Sequence, residues 1–213
     1  MRTLSSRLIL TLCTVGATAA LSGCNSMSAQ ECLATDWRTV GYEDGVNGYT
    51  GDRIGRYRNA CSEHGVTPNL DAYQTGRDQG LHEFCKPVNG FRVGARGGGY
   101  SGVCPADLDP PFVDAYQSGR QLYTLRSRVS STQSEIYSMH AELEQIDRDF
   151  VSIGAQMVDP TITNEQRAQL LVDTKHMAER KGEIKALLPQ LESELVGYQR
   201  DLDDYRATLT YVE

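Results

Sequence analysis

The second half of the chain carries apolar residues at alternating steps of three and four, which is the spacing of a heptad repeat. One series covers residues 122–157 and a second covers 170–212. The pattern predicts an antiparallel coiled-coil hairpin of two long helices over residues 112–213, with its turn near 158–163. The seam consists of Leu122, Leu125, Val129, Thr132, Ile136, Met139, Leu143, Ile146, Phe150, Ile153 and Met157 in the first helix, and Leu170, Thr174, Met177, Lys181, Ile184, Leu188, Leu191, Leu195, Tyr198, Leu202, Tyr205, Leu209 and Val212 in the second.

Residues that end and start helices support the predicted turn at both of its ends. Pro160 is expected to end the first helix, and Thr163 with Gln166 forms a capping box that starts the second. Pro189 is expected to bend the second helix without opening its core. Lys181 is a polar residue within the seam, and such residues fix the register of a coiled coil.

Residues 32–111 have a different character, because they are rich in Gly, Tyr and Cys, whereas glycine is scarce after Pro111. We interpret them as a small helical head whose sequence motif extends to about residue 123. The predicted fold class is therefore mainly α, with a small head followed by the long hairpin. The hairpin starts at the far end of the head and is the part expected to reach outward.

The head contains an internal repeat. The seven residues from Asp71 to Arg77 recur almost unchanged from Asp114 to Arg120, and a weaker copy begins at Cys32, where Asp36 precedes Gly41 with the same Asp-to-Gly spacing. An aspartate at this place is typical of a helix start, where its carboxylate meets free backbone N–H groups.

Glycines four residues apart follow in two of the copies, at Gly41 and Gly45 and at Gly76 and Gly80. Glycine inside a helix costs about 1 kcal/mol relative to alanine. These positions are therefore expected to allow close approach of another backbone or an aromatic ring, and contact with a ligand is the less favoured alternative.

The segment between Cys85 and Cys104 is rich in glycine. Phe91, Val93, Tyr100 and Val103 could form a small hairpin or an ordered loop there, with the glycines supplying positive φ angles. A phosphate-binding loop is disfavoured, because no Lys-Ser or Lys-Thr pair follows the glycines.

The first 23 residues have the order of an export signal: basic Arg2 and Arg7, an uncharged apolar run over residues 8–21, and small residues before Cys24. The tetrapeptide Leu-Ser-Gly-Cys that ends at Cys24 matches a lipobox, so we expect cleavage before Cys24 and lipid attachment to it. An uncleaved membrane anchor is disfavoured, since a span needs about 20 apolar residues.

Acyl chains such as palmitate on Cys24 would anchor the protein to the periplasmic face of a membrane. The next residue is Asn25 rather than aspartate, which favours the outer over the inner membrane. Residues 24–31 would form a short tether. The formal net charge of −7 and the lack of a run of Lys and Arg argue against nucleic acid as a partner.

Four cysteines remain after this processing: Cys32, Cys61, Cys85 and Cys104. An even number in an exported chain indicates two disulfides. Three pairings are possible, and we favour the sequential one because each bond closes a short loop.

Zinc is the alternative use of two of these thiols, since Cys61 and His64 are mirrored by His82 and Cys85 at spacings that suit a metal. Disulfides are favoured because the compartment oxidises thiols, and because Cys104, the repeat counterpart of Cys61, has no histidine nearby. No metal and no other cofactor is predicted.

No catalytic constellation stands out. His140 and His176 lie off the seam of the hairpin, and His64 and His82 are expected to be surface or capping residues. The carboxylates of Glu43-Asp44 are adjacent in sequence and are expected to point apart. An enzyme is therefore not predicted, and a hydrolase built from distant loops is the weakest of three hypotheses.

Taken together, the residues of the head resemble a family of proteobacterial envelope lipoproteins known as a domain of unknown function. The resemblance covers about residues 30 to 125 and implies no activity, cofactor or catalytic residue. It rests on Cys32, Asp36-Trp37, Gly41-Tyr42-x-Asp44-Gly45, Cys61, Tyr73-x-x-Gly76-Arg77-x-x-Gly80-Leu81, Phe84-Cys85-x-Pro87-x-Asn89-Gly90, Tyr100-x-Gly102-Val103-Cys104-Pro105 and Phe112-x-x-Ala115-Tyr116-x-x-Gly119-Arg120-x-Leu122-Tyr123.

The leading hypothesis is a non-enzymatic structural or interaction protein that is anchored to the outer membrane and uses the hairpin to bind another envelope protein or itself. The alternative is a periplasmic binding module for cell wall or a small polar ligand. That module would use the Gly-rich segment with Arg92, Arg96 and Tyr100.

Overall fold

A computed structural model describes residues 27–209 of the chain. The predicted signal over residues 1–23, the lipidation residue Cys24 and the last seam position, Val212, lie outside the described residues. The described part is helical and contains no strand, so the predicted fold class is confirmed. Its elements are α1 (Ala29–Ala34), α2 (Trp37–Val46), a 3₁₀ helix (Gly51–Arg53), α3 (Ile54–Ser62), α4 (Leu70–Phe84), α5 (Pro87–Ala95), α6 (Asp109–Met157) and α7 (Asn164–Thr208).

Side-chain caps start several of these helices. The carboxylate of Asp36 accepts from the backbone N–H of Arg38 at the start of α2, and the side chain of Asn69 does the same for α4. Asp71 lies in the first turn of α4. Its repeat counterpart Asp114 lies inside α6, so the expected helix start at that copy is wrong. α6 begins earlier, at Asp109, because Pro110 and Pro111 fit a first helical turn.

The head consists of two closely crossed helix pairs. At the crossing of α2 and α4, an added Cβ on Gly41 would lie 2.8 Å from the carbonyl carbon of Tyr73, and one on Gly76 would lie 2.8 Å from that of Arg38. The matching distances confirm the expected close approach of backbones. They also give the crossing a local two-fold relation, which explains the weaker copy of the repeat in α2.

The second pair, α5 and α6, repeats this geometry. An added Cβ on Gly94 would lie 2.7 Å from the backbone nitrogen of Arg120, and one on Gly119 would lie 2.7 Å from that of Ala95. Both strong copies of the sequence repeat therefore supply one helix of a crossed pair, α4 in the first and α6 in the second.

The structure corrects the expectation for the segment between the last two cysteines. Its first half is α5, so Phe91 and Val93 lie on the buried face of a helix and not in a hairpin. Gly90 and Gly94 serve helix packing, whereas Gly97 and Gly102 in the connection adopt the expected positive φ angles. Residues 96–108 form the connection to α6 without a strand, as the ordered-loop alternative predicts.

Two disulfides hold the head. Cys32 is bonded to Cys61, and Cys85 is bonded to Cys104, which is the sequential pairing. The first joins α1 to α3 and lies in a core cluster with Trp37 and Tyr73. The second ties the end of α4 to the loop before α6.

α6 and α7 form the hairpin, and residues 158–163 connect them. Thr163 and Gln166 make the predicted capping box. Pro189 lies inside α7, and Lys181 in the seam pairs with Asp147 across the hairpin. The seam forms two core clusters, one around Ile136, Ile146, Ile184, Leu188 and Leu191, and one where Leu122 and Leu202 meet the head. None of the helices within residues 27–209 is long and apolar enough to cross a membrane.

Candidate functional site

The three residues predicted for ligand binding do not form one site. Arg92 lies on α5 and Arg96 caps its end, one turn apart and both exposed. Tyr100 points into the protein, where its ring packs 4.7 Å from that of Phe112. Its hydroxyl donates to the carboxylate of Asp109.

A second bond fixes the same hydroxyl, which accepts from the backbone N–H of Cys104 at 3.0 Å. Burial, followed by the bond to Asp109, raises the pKa of Tyr100 to about 12. Tyr100 therefore holds the Gly-rich loop and the second disulfide in place, and its hydroxyl is not available to a ligand.

The residues of the zinc alternative are also separated. The sulfur atoms of Cys61 and Cys85 belong to different disulfides, and the Nε2 of His64 lies 2.9 Å from the backbone oxygen of Met27. Among the described residues, no group of three or more His, Cys, Asp or Glu could hold a metal ion.

A buried carboxylate that the sequence pattern did not assign to a site is the strongest polar feature of the head. Asp44 on α2 is only 4% exposed. Its oxygens accept from the hydroxyl of Tyr73 at 2.8 Å and from that of Tyr57 at 3.2 Å. The Nε of Arg53 lies 2.9 Å from Asp44 Oδ1, an ion pair in which the N–H is not aligned as a hydrogen bond.

The cluster of Asp44, Arg53, Tyr57 and Tyr73 favours protonated phenols. Burial is the main cause that raises the pKa of both Tyr57 and Tyr73, and for Tyr73 the bond to Asp44 adds to it. A carboxylate surrounded by two phenol donors and a guanidinium is satisfied. This arrangement joins α2, α3 and α4, and it leaves no free base or nucleophile for catalysis.

The sequence did contain a signal for Asp44. Gly41, Asp44 and Gly45 are spaced by three and four, so a helix places them on one face, and that face packs against α4. Glu43 is the exposed neighbour. The adjacent carboxylates therefore do point apart, but one of them points into the core.

A surface cavity of about 330 Å³ lies beside this cluster. The guanidinium of Arg53 stacks over the ring of Tyr49 at 3.7 Å from its centroid. The hydroxyl of Thr50 is the main cause that lowers the pKa of Asp52. The cavity therefore combines guanidinium, hydroxyl and carboxylate groups on an exposed surface, and its lining consists of Tyr49, Thr50, Asp52, Arg53 and Arg56.

The repeated arginine has the same role in both copies. Arg77 donates to the backbone oxygen of Tyr49 at 3.0 and 3.1 Å, and Arg120 donates to that of Gly97 at 3.1 Å. Each arginine thus binds a backbone oxygen just after the end of the helix that crosses the arginine's own helix. The repeat encodes a structural unit.

The polar cluster and the repeat lie in the segment of the chain that matches a family of known sequences. Residues 36–121 match the family described as "Protein of unknown function (DUF2799)". The resemblance of the head to a domain of unknown function is thus supported over these residues. The DUF2799 segment contains both crossed helix pairs, Asp44 and both strong repeat copies, and it ends within α6. No curated protein and no solved structure matches the chain significantly.

Proposed function

We propose that this chain is a lipid-anchored envelope protein whose head holds a helical rod that binds other proteins. The rod is the part of the hairpin beyond residue 122. The observation that carries the proposal is a set of large apolar side chains on the outside of the rod, away from the seam. Tyr137, Val151, Val158, Leu171 and Val196 are each between 55% and 81% exposed.

The rod is joined to the head without a flexible linker. α6 is one helix of 49 residues from Asp109 to Met157. Phe112, Ala115 and Leu122 in its first part are fully buried against the head and the end of α7. A force or a partner at the turn of the hairpin would therefore act directly on the head.

The anchor would hold the head close to the membrane. Ser28 caps α1, and it follows Cys24 by four residues. Four extended residues span at most about 15 Å. On this proposal, the lipid fixes the head at the surface of the outer membrane and the rod extends into the periplasm.

Fractionation tests the anchor. The wild-type chain should sediment with the outer membrane, and its N-terminal peptide should carry diacylglycerol and a further acyl chain such as palmitate. The variant Cys24→Ser should lose the lipid. A wild-type chain that is recovered soluble, with an unmodified Cys24, would contradict the anchoring.

Photo-cross-linking in intact cells tests the rod. A photoreactive residue at Val151 should give adducts with another protein chain, whereas the same residue at the exposed Gln145, about a third of a turn away around α6, should give few. Recovery of uncross-linked monomer alone from both positions would overturn the binding role.

A second candidate function is binding of cell wall or a small polar ligand. The observation in its favour is the exposed pair of Arg92 and Arg96, one helical turn apart. Isolated cell wall should retain wild type and release Arg96→Ala, while Arg58→Ala, an exposed arginine on α3, should behave as wild type. Equal retention of all three would remove this candidate.

A further inference from the structure

We propose that the surface cavity beside Asp44 binds a small zwitterion, that is, a ligand such as an amino acid whose ammonium and carboxylate groups lie close together. The cavity lies where the 3₁₀ helix (Gly51–Arg53) joins α3. This part of the head is separate in sequence from Arg92 and Arg96. The inference depends neither on the lipid anchor nor on the rod.

The size and lining of the cavity limit what it can bind. Its volume of about 330 Å³ is at the small end of the range of ligand pockets, which is roughly 300–1,000 Å³. Each of its five lining side chains carries a polar group, and the charged ones have both signs. The cavity therefore suits a small polar ligand that itself carries both charges.

Two opposite charges face the cavity without closing on each other. Asp52 and Arg56 are four residues apart and line the same cavity, and side chains at this spacing along a helix have Cβ atoms about 5–6 Å apart. No ion pair of 4.0 Å or less joins them. The hydroxyl of Thr50 and then the charge of Arg56 lower the pKa of Asp52, so its carboxylate stays ionised. A ligand can therefore meet a carboxylate and a guanidinium that are near each other but not paired.

A second guanidinium in the lining is fixed in advance. The Nε of Arg53 lies 2.9 Å from Asp44 Oδ1, and the ring of Tyr49 covers the guanidinium at 3.7 Å. The side chain of Arg53 is still 28% exposed. A guanidinium held in this way loses little freedom when it binds a carboxylate, which favours binding.

The charges of the lining match a zwitterion better than a simple ion. The ligand's carboxylate would bind the guanidinium groups of Arg53 and Arg56, and its ammonium would bind the carboxylate of Asp52. An anion without an ammonium would meet Asp52 with a like charge, and a cation without a carboxylate would meet two guanidiniums. Like charges in contact disfavour both alternatives.

The second crossed helix pair shows that the crossing does not need this polar lining. Arg77 binds the backbone oxygen of Tyr49 after α2, and Arg120 binds that of Gly97 after α5. In the second pair the chain continues from there with two more glycines, over residues 97–99, and the helices still cross closely. The polar side chains at the first pair are therefore an addition to the repeated structural unit.

Calorimetric titration of the full chain tests the proposal. The probes are glycine, L-alanine and D-alanine, together with acetate, methylammonium and inorganic phosphate, which each carry charge of one sign only. At least one amino acid should bind about tenfold more tightly than acetate, methylammonium or phosphate, because it gains a second charge-assisted contact.

Two substitutions in the lining should have different effects on these probes. Asp52→Asn should weaken the binding of the amino acid about tenfold, because the ammonium loses its partner, but it should leave acetate binding unchanged or stronger. Arg56→Gln should weaken both. The controls Arg58→Gln and Glu63→Gln change exposed residues outside the lining and should bind as wild type does.

The measurements on the wild-type chain decide the proposal even if a variant fails to fold. Absence of binding by all three amino acids, or equal affinity for an amino acid and for acetate or phosphate, would overturn it. Stronger binding of the amino acid by Asp52→Asn would also overturn it, because the cavity would then be a site for anions only. Weaker amino-acid binding by Asp52→Asn, with acetate binding retained, supports the zwitterion site.

Discussion

Substitution of Gly76 by alanine should destabilise the head, although alanine is the better helix former. Gly76 lies in the middle of α4. An added Cβ would lie 2.8 Å from the carbonyl carbon and nearer still to the carbonyl oxygen of Arg38, and 2.9 Å from the backbone nitrogen of Tyr42. Carbon atoms in contact are about 3.5–4.0 Å apart. The new methyl group can therefore be accommodated only if α2 moves.

Two opposing contributions set the size of the effect. Replacing glycine by alanine in a helix gains about 1 kcal/mol, and overpacking of a close-packed contact costs about 1–3 kcal/mol or more. The atoms in the way belong to the backbone of α2, which cannot turn aside as the end of a side chain can. We therefore expect a net loss of about 2 kcal/mol, or about 4–8 °C in the melting temperature of a chain of this size.

Gly197 provides the matched control. It lies in α7, and an added Cβ there has no atom within 4 Å. Gly197→Ala should keep the gain from helix propensity and stabilise the chain by up to about 1 kcal/mol. The two substitutions are chemically the same and should have opposite signs.

Urea unfolding of the full chain measures both variants. Circular dichroism follows the helices, and fluorescence follows the head, because Trp37 is the only tryptophan in the sequence and is buried against Tyr57. A Gly76→Ala midpoint equal to or above that of wild type would refute the reasoning. It would show that the two helices can separate without loss and that the glycine is not required for the crossing.

Three further predictions concern the polar and covalent contacts of the head. Asp44→Asn should lower the free energy of unfolding by about 2–3 kcal/mol, because the buried partners lose a charged acceptor. The control Glu43→Gln should change it by less than about 0.5 kcal/mol. Equal effects of the two substitutions in urea unfolding would contradict the buried role of Asp44. Removal of the second disulfide by Cys85→Ser with Cys104→Ser should cost about 3 kcal/mol for a loop of this length, measured against wild type under oxidising conditions. The pKa of Tyr100 is raised to about 12, so the unfolded chain loses this proton first, near pH 10. The resulting stability is present below pH 10 and is lost as the pH rises from about 10 to 12. Tyr100→Phe should reduce the fall in the free energy of unfolding between pH 10 and 12. An unchanged slope of this free energy against pH would show that the hydroxyl of Tyr100 is not protected from ionisation.

The sequence by itself determined the features that depend on local spacing. Seam residues such as Ile136 and Ile184 recur at the helical period, so their burial could be read without knowledge of the fold. The capping box at Thr163 needs only residues three apart. The expectation that Gly41 and Gly76 allow a close backbone contact also came from spacing, since glycine inside a helix needs a reason.

The tertiary structure decided which surfaces meet. α5 is a helix despite two glycines, because Gly90 and Gly94 let its backbone pack directly on α6, and a contact between distant segments overrides weak local propensity. Tyr100 packs against Phe112 of α6 and donates to Asp109, which removes it from the predicted ligand site. Asp44 depends on three separate helices for its partners, and no local pattern contains all of them. A role that depends on a residue's position within its own helix can be predicted from the sequence. A role that depends on a partner far away in the chain is decided only by the tertiary structure.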